Sequence, residues 1–254
     1  MTPNVLLELE KTLLYLFSPA PCLACGELDR DLRRPLGLCT RCRGRLVELR
    51  EPCCRSCALP LAGAAVPPGY RCGPCRLQPP VFERLVAHWV YQPPLDQVIL
   101  RLKFGRLRFL GRHLGLPLAR RLARDPPAAN LVVPIPLHWR RALERGYNQA
   151  REIAEIVARE LDLPLVGALK RRRATRPQMG IEHRRRQKNL QTAFACTRPH
   201  RIAGRSVLLI DDVVTTGATL NEAALTLRNA GAGVILAAVV ARTPEPGPLP
   251  RSLG

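Results

Sequence analysis

Residues 207–220 read Val-Leu-Leu-Ile-Asp-Asp-Val-Val-Thr-Thr-Gly-Ala-Thr-Leu, and the adjacent acids Asp211 and Asp212 are the clearest sign of chemistry in the chain. The apolar run before them predicts a buried strand of a parallel sheet, with a helix opening near Thr219. Two carboxylates at the carboxyl end of such a strand are costly unless they meet a cation or hydroxyl groups. Thr215, Thr216, Gly217 and Thr219 add hydroxyls and backbone N–H groups at a helix N-terminus, which suits a phosphate. Acids and loop together fit a sugar phosphate, with a diol on Asp211 and Asp212 and the phosphate on the loop. The plain alternative is a strand–turn–helix corner capped by an aspartate.

A second chemistry lies towards the N-terminus. The pairs Cys22/Cys25, Cys39/Cys42, Cys54/Cys57 and Cys72/Cys75 are all spaced Cys-x-x-Cys. Each such pair sets two thiolates on one tight turn, the knuckle from which tetrahedral Zn²⁺ sites are assembled. Two four-cysteine sites could form by sequential or interleaved pairing. Sequential pairing is the expectation, occupancy of one site is the alternative, and Cys53 is left as a spare. A redox pair would stand singly beside a βαβ unit, whereas here the motif recurs through a loop-rich segment. With every ligand supplied by protein and no position left open, the zinc would be structural.

Alternating elements must carry the acid pair. A strand is expected at 82–91, with Leu85, Ala87, Trp89 and Tyr91 on one face, followed by a helix on which Leu95, Val98, Ile99 and Leu102 recur. A helix at 109–123 and a strand at 131–136 come next. The segment 137–149 reads as a long connection dense in donors, and 148–161 as a helix. The basic run 170–188 has too little apolar surface for a core and reads as a surface loop or flap, after which 189–196 returns to strand. Leu220, Ala223, Ala224 and Leu227 line a last helix that Gly231 caps, and 234–240 forms the last strand. This alternation predicts an α/β fold with a doubly wound parallel sheet. The divisions are 1–78, an N-terminal helix and cysteine module; 79–242, the α/β domain; and 243–254, a proline-rich tail expected to be disordered.

A chain of 254 residues has room for one ordinary domain and a small module. Forty Lys and Arg against twenty Asp and Glu leave a net charge of +20, which attracts polyanions over a Debye length. Arginine-rich composition is the competing explanation. Aromatic residues make up only 4%, against an extended base-stacking platform. No apolar run reaches the length of a membrane span, and 5–17 carries Glu8, Glu10 and Lys11, unlike a signal peptide. A cytoplasmic protein is expected.

The run 207–220 resembles the phosphoribosyl pyrophosphate (PRPP) motif of type I phosphoribosyltransferases. The cysteine pairs, Leu102-Lys103-Phe104, Val133-Pro134-Ile135-Pro136-Leu137-His138, Glu144-Arg145-Gly146-Tyr147-Asn148-Gln149, Gln178-x-Gly180 and Lys188-Asn189-Leu190 extend the likeness over about 14–242. Together they resemble the ComF family, the ComFC/GntX group of phosphoribosyltransferase-like proteins. That resemblance implies a type I phosphoribosyltransferase-like sheet with a small zinc-binding N-terminal module. It implies that Asp211 and Asp212 hold the ribose diol, directly or through Mg²⁺. The 5′-phosphate would lie on Val213, Val214, Thr215, Thr216, Gly217, Ala218 and Thr219. Pro136, Leu137 and His138, with Arg140, Arg141 or Arg145, would approach the pyrophosphate, and Arg184, Arg185, Arg186 and Lys188 would belong to the flap. The implied role is DNA uptake in natural transformation, handling incoming single-stranded DNA beside a DNA-uptake helicase and DNA-processing proteins. An active Mg²⁺-dependent phosphoribosyltransferase and a zinc-module adaptor with a non-catalytic site are the alternatives. Thr215 stands where purine-salvage members carry an acid that serves the base, and no hood follows the last strand.

Overall fold

The computed structural model describes residues 21–28, 35–61, 66–67, 69–172 and 193–244. The expected helix at 5–17, most of the basic run and most of the tail lie outside them. In chain order the elements are α1 (Thr40–Gly44), α2 (Gly73–Leu77), β1 (Arg84–Val90), α3 (Leu95–Phe104), α4 (Phe109–Arg124) and β2 (Leu131–Pro134). Then come α5 (Trp139–Arg145), α6 (Gln149–Glu160), β3 (Leu169–Arg171), β4 (Phe194–Cys196), β5 (Val207–Val214), α7 (Ala218–Asn229) and β6 (Ile235–Arg242).

Four strands lie parallel in the order β1-β6-β5-β2, and β3 and β4 form a separate antiparallel pair. The apolar runs of β5 and β6 are required because helices cover both faces. Leu102, Leu114, Val157 and Ile210 share one core, whereas Leu209, Val239, Leu227 and Phe194 share the other. The fold is therefore a doubly wound α/β sheet, as the alternation predicted.

Three expectations need correcting. The segment 137–149 is not all loop, since α5 occupies Trp139–Arg145. Its mix of arginines with Ala142 and Leu143 offers no apolar stripe, so periodicity could not show it. On β1, Trp89 does not share a face with Leu85 and Ala87; it packs in the opposite core and Val90 joins theirs. The acids also do not end β5. The strand continues through Val213 and Val214, which pair with Ala241 and Arg242, because two apolar β-branched residues still have a partner strand to lie against.

The cysteine module is joined to the sheet. Glu48 bridges Trp89 in antiparallel sense, Leu49 N donates to the His88 carbonyl at 2.9 Å, and Val90 N donates to the Val47 carbonyl at 2.9 Å. This segment lies along β1, whose other neighbour is β6. Cys22, Leu38, Cys39 and Cys42 pack in the same core as α3 and α4, whereas Cys54, Leu59, Cys72 and Cys75 form a small cluster of their own.

Candidate functional site

The acid pair is held from both faces of β5. Successive strand positions project to opposite sides, and the two carboxylates meet different neighbours. Asp212, only 5% exposed, accepts from Val213 N on Oδ1 at 2.7 Å. Its Oδ2 lies 3.0 Å from Lys103 Nζ, in the last turn of α3, and has no other donor among the described residues. Asp211 accepts from Asp212 N on Oδ1 at 2.8 Å. Asp211 keeps some solvent contact, yet its carboxyl lies deep enough to be held well above the usual carboxylate range, first by burial and then by the Asp212 charge beside it.

Cations converge on this pair. Burial pulls the Arg145 guanidinium down, while Asp212 pulls it up and Arg141 pulls it down. Arg145 also lies over the Phe104 ring, 4.7 Å from its centroid. Arg171 on β3 is lowered by burial and by Arg141, is raised by Asp211, and stands 5.4 Å over the Phe194 ring. Lys103, Arg145 and Arg171 thus share the field of the two acids, with Arg141 beside the two arginines, an excess of positive charge that suits a ligand with several negative charges.

The loop beyond the acids is anchored at its start. The Val214 carbonyl accepts from Thr243 N at 3.0 Å and Thr243 Oγ1 at 3.3 Å. Thr215 and Thr216 are exposed, and Gly217, at φ +80°, forms the N-cap of α7 in a left-handed conformation that glycine adopts without strain. Ala218 N donates to Thr216 Oγ1 at 3.4 Å, and with no acidic side chain in its first turn the positive end of α7 is left to attract an anion.

The segment after β2 closes the other side. Asn148 accepts from Ala150 N at 3.1 Å to cap α6 and donates through Nδ2 to the Ile135 carbonyl at 2.9 Å. Pro136 and Leu137 are half-buried, His138 is buried with its carbonyl accepting from Ala142 N at 3.0 Å, and Arg140 lies on α5. Arg184, Arg185, Arg186 and Lys188 lie outside the described residues. Two residues at the acids were assigned no contact with them from the sequence, although Lys103 stands in the Leu102-Lys103-Phe104 motif. Lys103 stands in a helix's last turn, where a cation reads as a dipole partner, and Arg171 was hidden in a basic run. Two cavities, of about 550 and 470 Å³, lie elsewhere, lined by residues such as Arg55, Arg84 and Asp125 and not by the acid pair.

The eight knuckle cysteines gather sequentially, Cys22, Cys25, Cys39 and Cys42 in one tetrad and Cys54, Cys57, Cys72 and Cys75 in the other, with each tetrad's sulfurs within 4.8 Å of one another. All are free thiols. Backbone N–H groups aim at the sulfurs, Cys39 N at Cys22 Sγ (3.4 Å) and Cys72 N at Cys54 Sγ (3.3 Å). Burial opposes ionisation of Cys22 and Cys54, but such donors outweigh it and bring the thiols down to about 6 and about 7. Burial and its sulfur neighbours push Cys42 up to about 12. A tetrad of this kind fits a tetrahedral Zn²⁺, whose charge would stabilise all four thiolates at once. Cys53 belongs to neither tetrad; its thiol donates to Glu51 Oε1 at 3.2 Å, and burial and Glu51 push it up to about 12. Cys196, on β4, is half-buried at the edge of the core that holds Phe194.

The phosphoribosyl transferase domain family matches residues 148–252, and the double zinc ribbon domain family matches residues 13–76. With the parallel sheet and the cysteine tetrads, these matches define a phosphoribosyltransferase-like protein with a structural zinc ribbon module. Competence protein F of Haemophilus influenzae is 35% identical over 202 residues, covering 77% of this chain and 86% of its own length. DNA utilization protein YhgH of Escherichia coli K12 is 35% identical over 205 residues, 78% of this chain and 87% of that one. Competence protein ComFC of Bacillus subtilis is 26% identical over 196 residues, 76% of this chain and 79% of that one. The chain belongs to the ComF family.

Proposed function

We propose that this protein binds PRPP and acts in DNA uptake, handling incoming single-stranded DNA in the cytoplasm, on a scaffold braced by two structural zinc sites. The observation that carries the reading is the acid pair on β5, leading through a left-handed Gly217 into a helix N-terminus and flanked by Lys103, Arg145 and Arg171. Asp211 and Asp212 would serve the ribose diol. Val213, Val214, Thr215, Thr216, Gly217, Ala218 and Thr219 would hold the 5′-phosphate, while Pro136, Leu137, His138, Arg140 and Arg145 would flank the pyrophosphate. Arg186 and Lys188 would complete the basic surface around the ligand. Mg²⁺ would enter with the pyrophosphate, since it binds readily to substrate phosphates and keeps its waters. Each cysteine tetrad would take one zinc, which fixes the knuckles and takes no part in chemistry.

The DNA part of the reading is supported by relatives named for competence and DNA utilization, and by the charge of +20. Its partners would be single-stranded DNA, a DNA-uptake helicase and DNA-processing proteins. Among the described residues no helix is long and apolar enough to cross a membrane.

Calorimetric titration of the zinc-loaded protein with PRPP and Mg²⁺ tests the site. Binding that vanishes in Asp211→Ala and Asp212→Ala is expected, and heat that survives both substitutions would overturn the assignment. Release of pyrophosphate with any member of a nucleobase panel would make the protein an active transferase. Binding without release makes it a PRPP-responsive binding protein.

A further inference from the structure

Lys103 reaches Asp212 across the sheet face, 109 positions away in the chain. Its side chain is 21% exposed and that of Asp212 6%, so the contact is largely shielded from water. Its neighbours on α3 are tied down. The Tyr147 hydroxyl donates to the Leu102 carbonyl, and Arg145 covers the Phe104 ring. The lysine is thus delivered to the acid by a helix end fixed from the α5–α6 connection. Among the described residues, the charged groups facing Asp212 include Lys103, Arg145 and Asp211.

Resting on the PRPP reading of this site, we infer that Lys103 is the resident cation of the acid pair. It is a positioning residue that occupies Asp212 Oδ2, the carboxylate oxygen on which a divalent cation at the acids would otherwise sit. Among the described residues, Lys103 Nζ, at 3.0 Å, is the partner of Asp212 Oδ2, which has no other donor. A Mg²⁺ ion on Asp212 Oδ2 would meet that ammonium, and like charges at such a distance repel strongly in a shielded site. The acid pair therefore reads a ribose diol without a metal of its own, through Asp211, with Asp212 held in place. Metal dependence belongs to the pyrophosphate end of the ligand.

Mn²⁺ titration of the zinc-loaded full chain, followed by electron paramagnetic resonance, separates a resident lysine from a lysine that only packs. Wild type is expected to take up no Mn²⁺ that Asp212→Asn abolishes. Lys103→Met and Lys103→Gln, which leave Asp212 Oδ2 without its cation, are expected to gain one such ion, lost again when Asp212→Asn is added. Ribose 5-phosphate, which lacks the pyrophosphate, gives the second readout. Wild type and Lys103→Arg bind it in metal-free buffer, Lys103→Met binds it about tenfold more weakly, and added Mn²⁺ restores the loss. Mn²⁺ held by Asp212 in wild type, or Lys103→Met binding the sugar as tightly as wild type without metal, would overturn the inference. Should wild type bind neither ribose 5-phosphate nor PRPP, the reading of the site falls, while Mn²⁺ uptake by the sugar-free proteins still decides the role of the lysine.

Discussion

Asp211 is the residue whose placement costs the fold and serves the site. Its carboxyl is held above the range of an unfolded aspartate, so folding is favoured while it is protonated. That contribution is complete below about pH 4 and is lost as pH rises through the raised value in the folded state. Asp211→Asn should therefore raise the melting temperature in alkaline buffer, flatten its decline with pH and abolish PRPP binding; thermal scans from about pH 5 to 9 read the first two effects. Asp212→Asn should act in the opposite sense, because it leaves the Lys103 ammonium buried without its partner. Loss of one member of a shielded pair typically costs about 3–5 kcal/mol, and the lower figure applies with Lys103 one-fifth exposed, measurable by urea unfolding. Gly217→Ala places a Cβ at φ +80°, an expected cost of roughly 1–2 kcal/mol together with weakened PRPP binding. Much of the site's composition was legible, since acids, threonines and a glycine in one run need no tertiary information. The cation on Asp212 was not, because no periodicity links positions 103 and 212.

At the scale of elements, α4 and α6 approach closely along Gly111 and Gly115. A Cβ at Gly111 would stand 2.6 Å from Glu152 Cβ, and one at Gly115 2.9 Å from Ile156 Cβ and 3.1 Å from the Ile153 carbonyl. Gly115→Val should force the helices apart and destabilise by about 1–3 kcal/mol, more than a valine at the open Gly44 position, as chemical denaturation of both variants would read. The two tetrads should also differ. Cys39→Ser disturbs a core shared with α3 and α4 and should lower the melting temperature of the whole domain. Cys72→Ser should release its zinc and loosen only the small cluster around Leu59, which hydrogen exchange and metal analysis resolve. Helices with an apolar stripe, such as α3, α6 and α7, could be placed from spacing alone. The short helix α5 lacks that stripe, and the three-residue strands β3 and β4 depend on each other across 22 intervening positions.

Across the whole molecule, the charge of +20 is the dominant electrostatic fact, and salt should govern its contacts with nucleic acid. Each phosphate neutralised on a single strand contributes roughly −0.7 to the slope of log affinity against log salt, so titrations of an oligonucleotide at several ionic strengths should give a slope steeper than about −2. Binding absent even at about 50 mM salt would count against DNA as a direct partner. The segment at 47–49 that lies along β1 ties this molecule to its metal supply. It lies in the chain between the two tetrads, so removing zinc is expected to loosen its pairing with β1, which hydrogen exchange at Val90 N, bonded to the Val47 carbonyl, would read. An unpaired margin is open to other chains and to proteases, so limited proteolysis should cut the zinc-free protein faster than the zinc-loaded one.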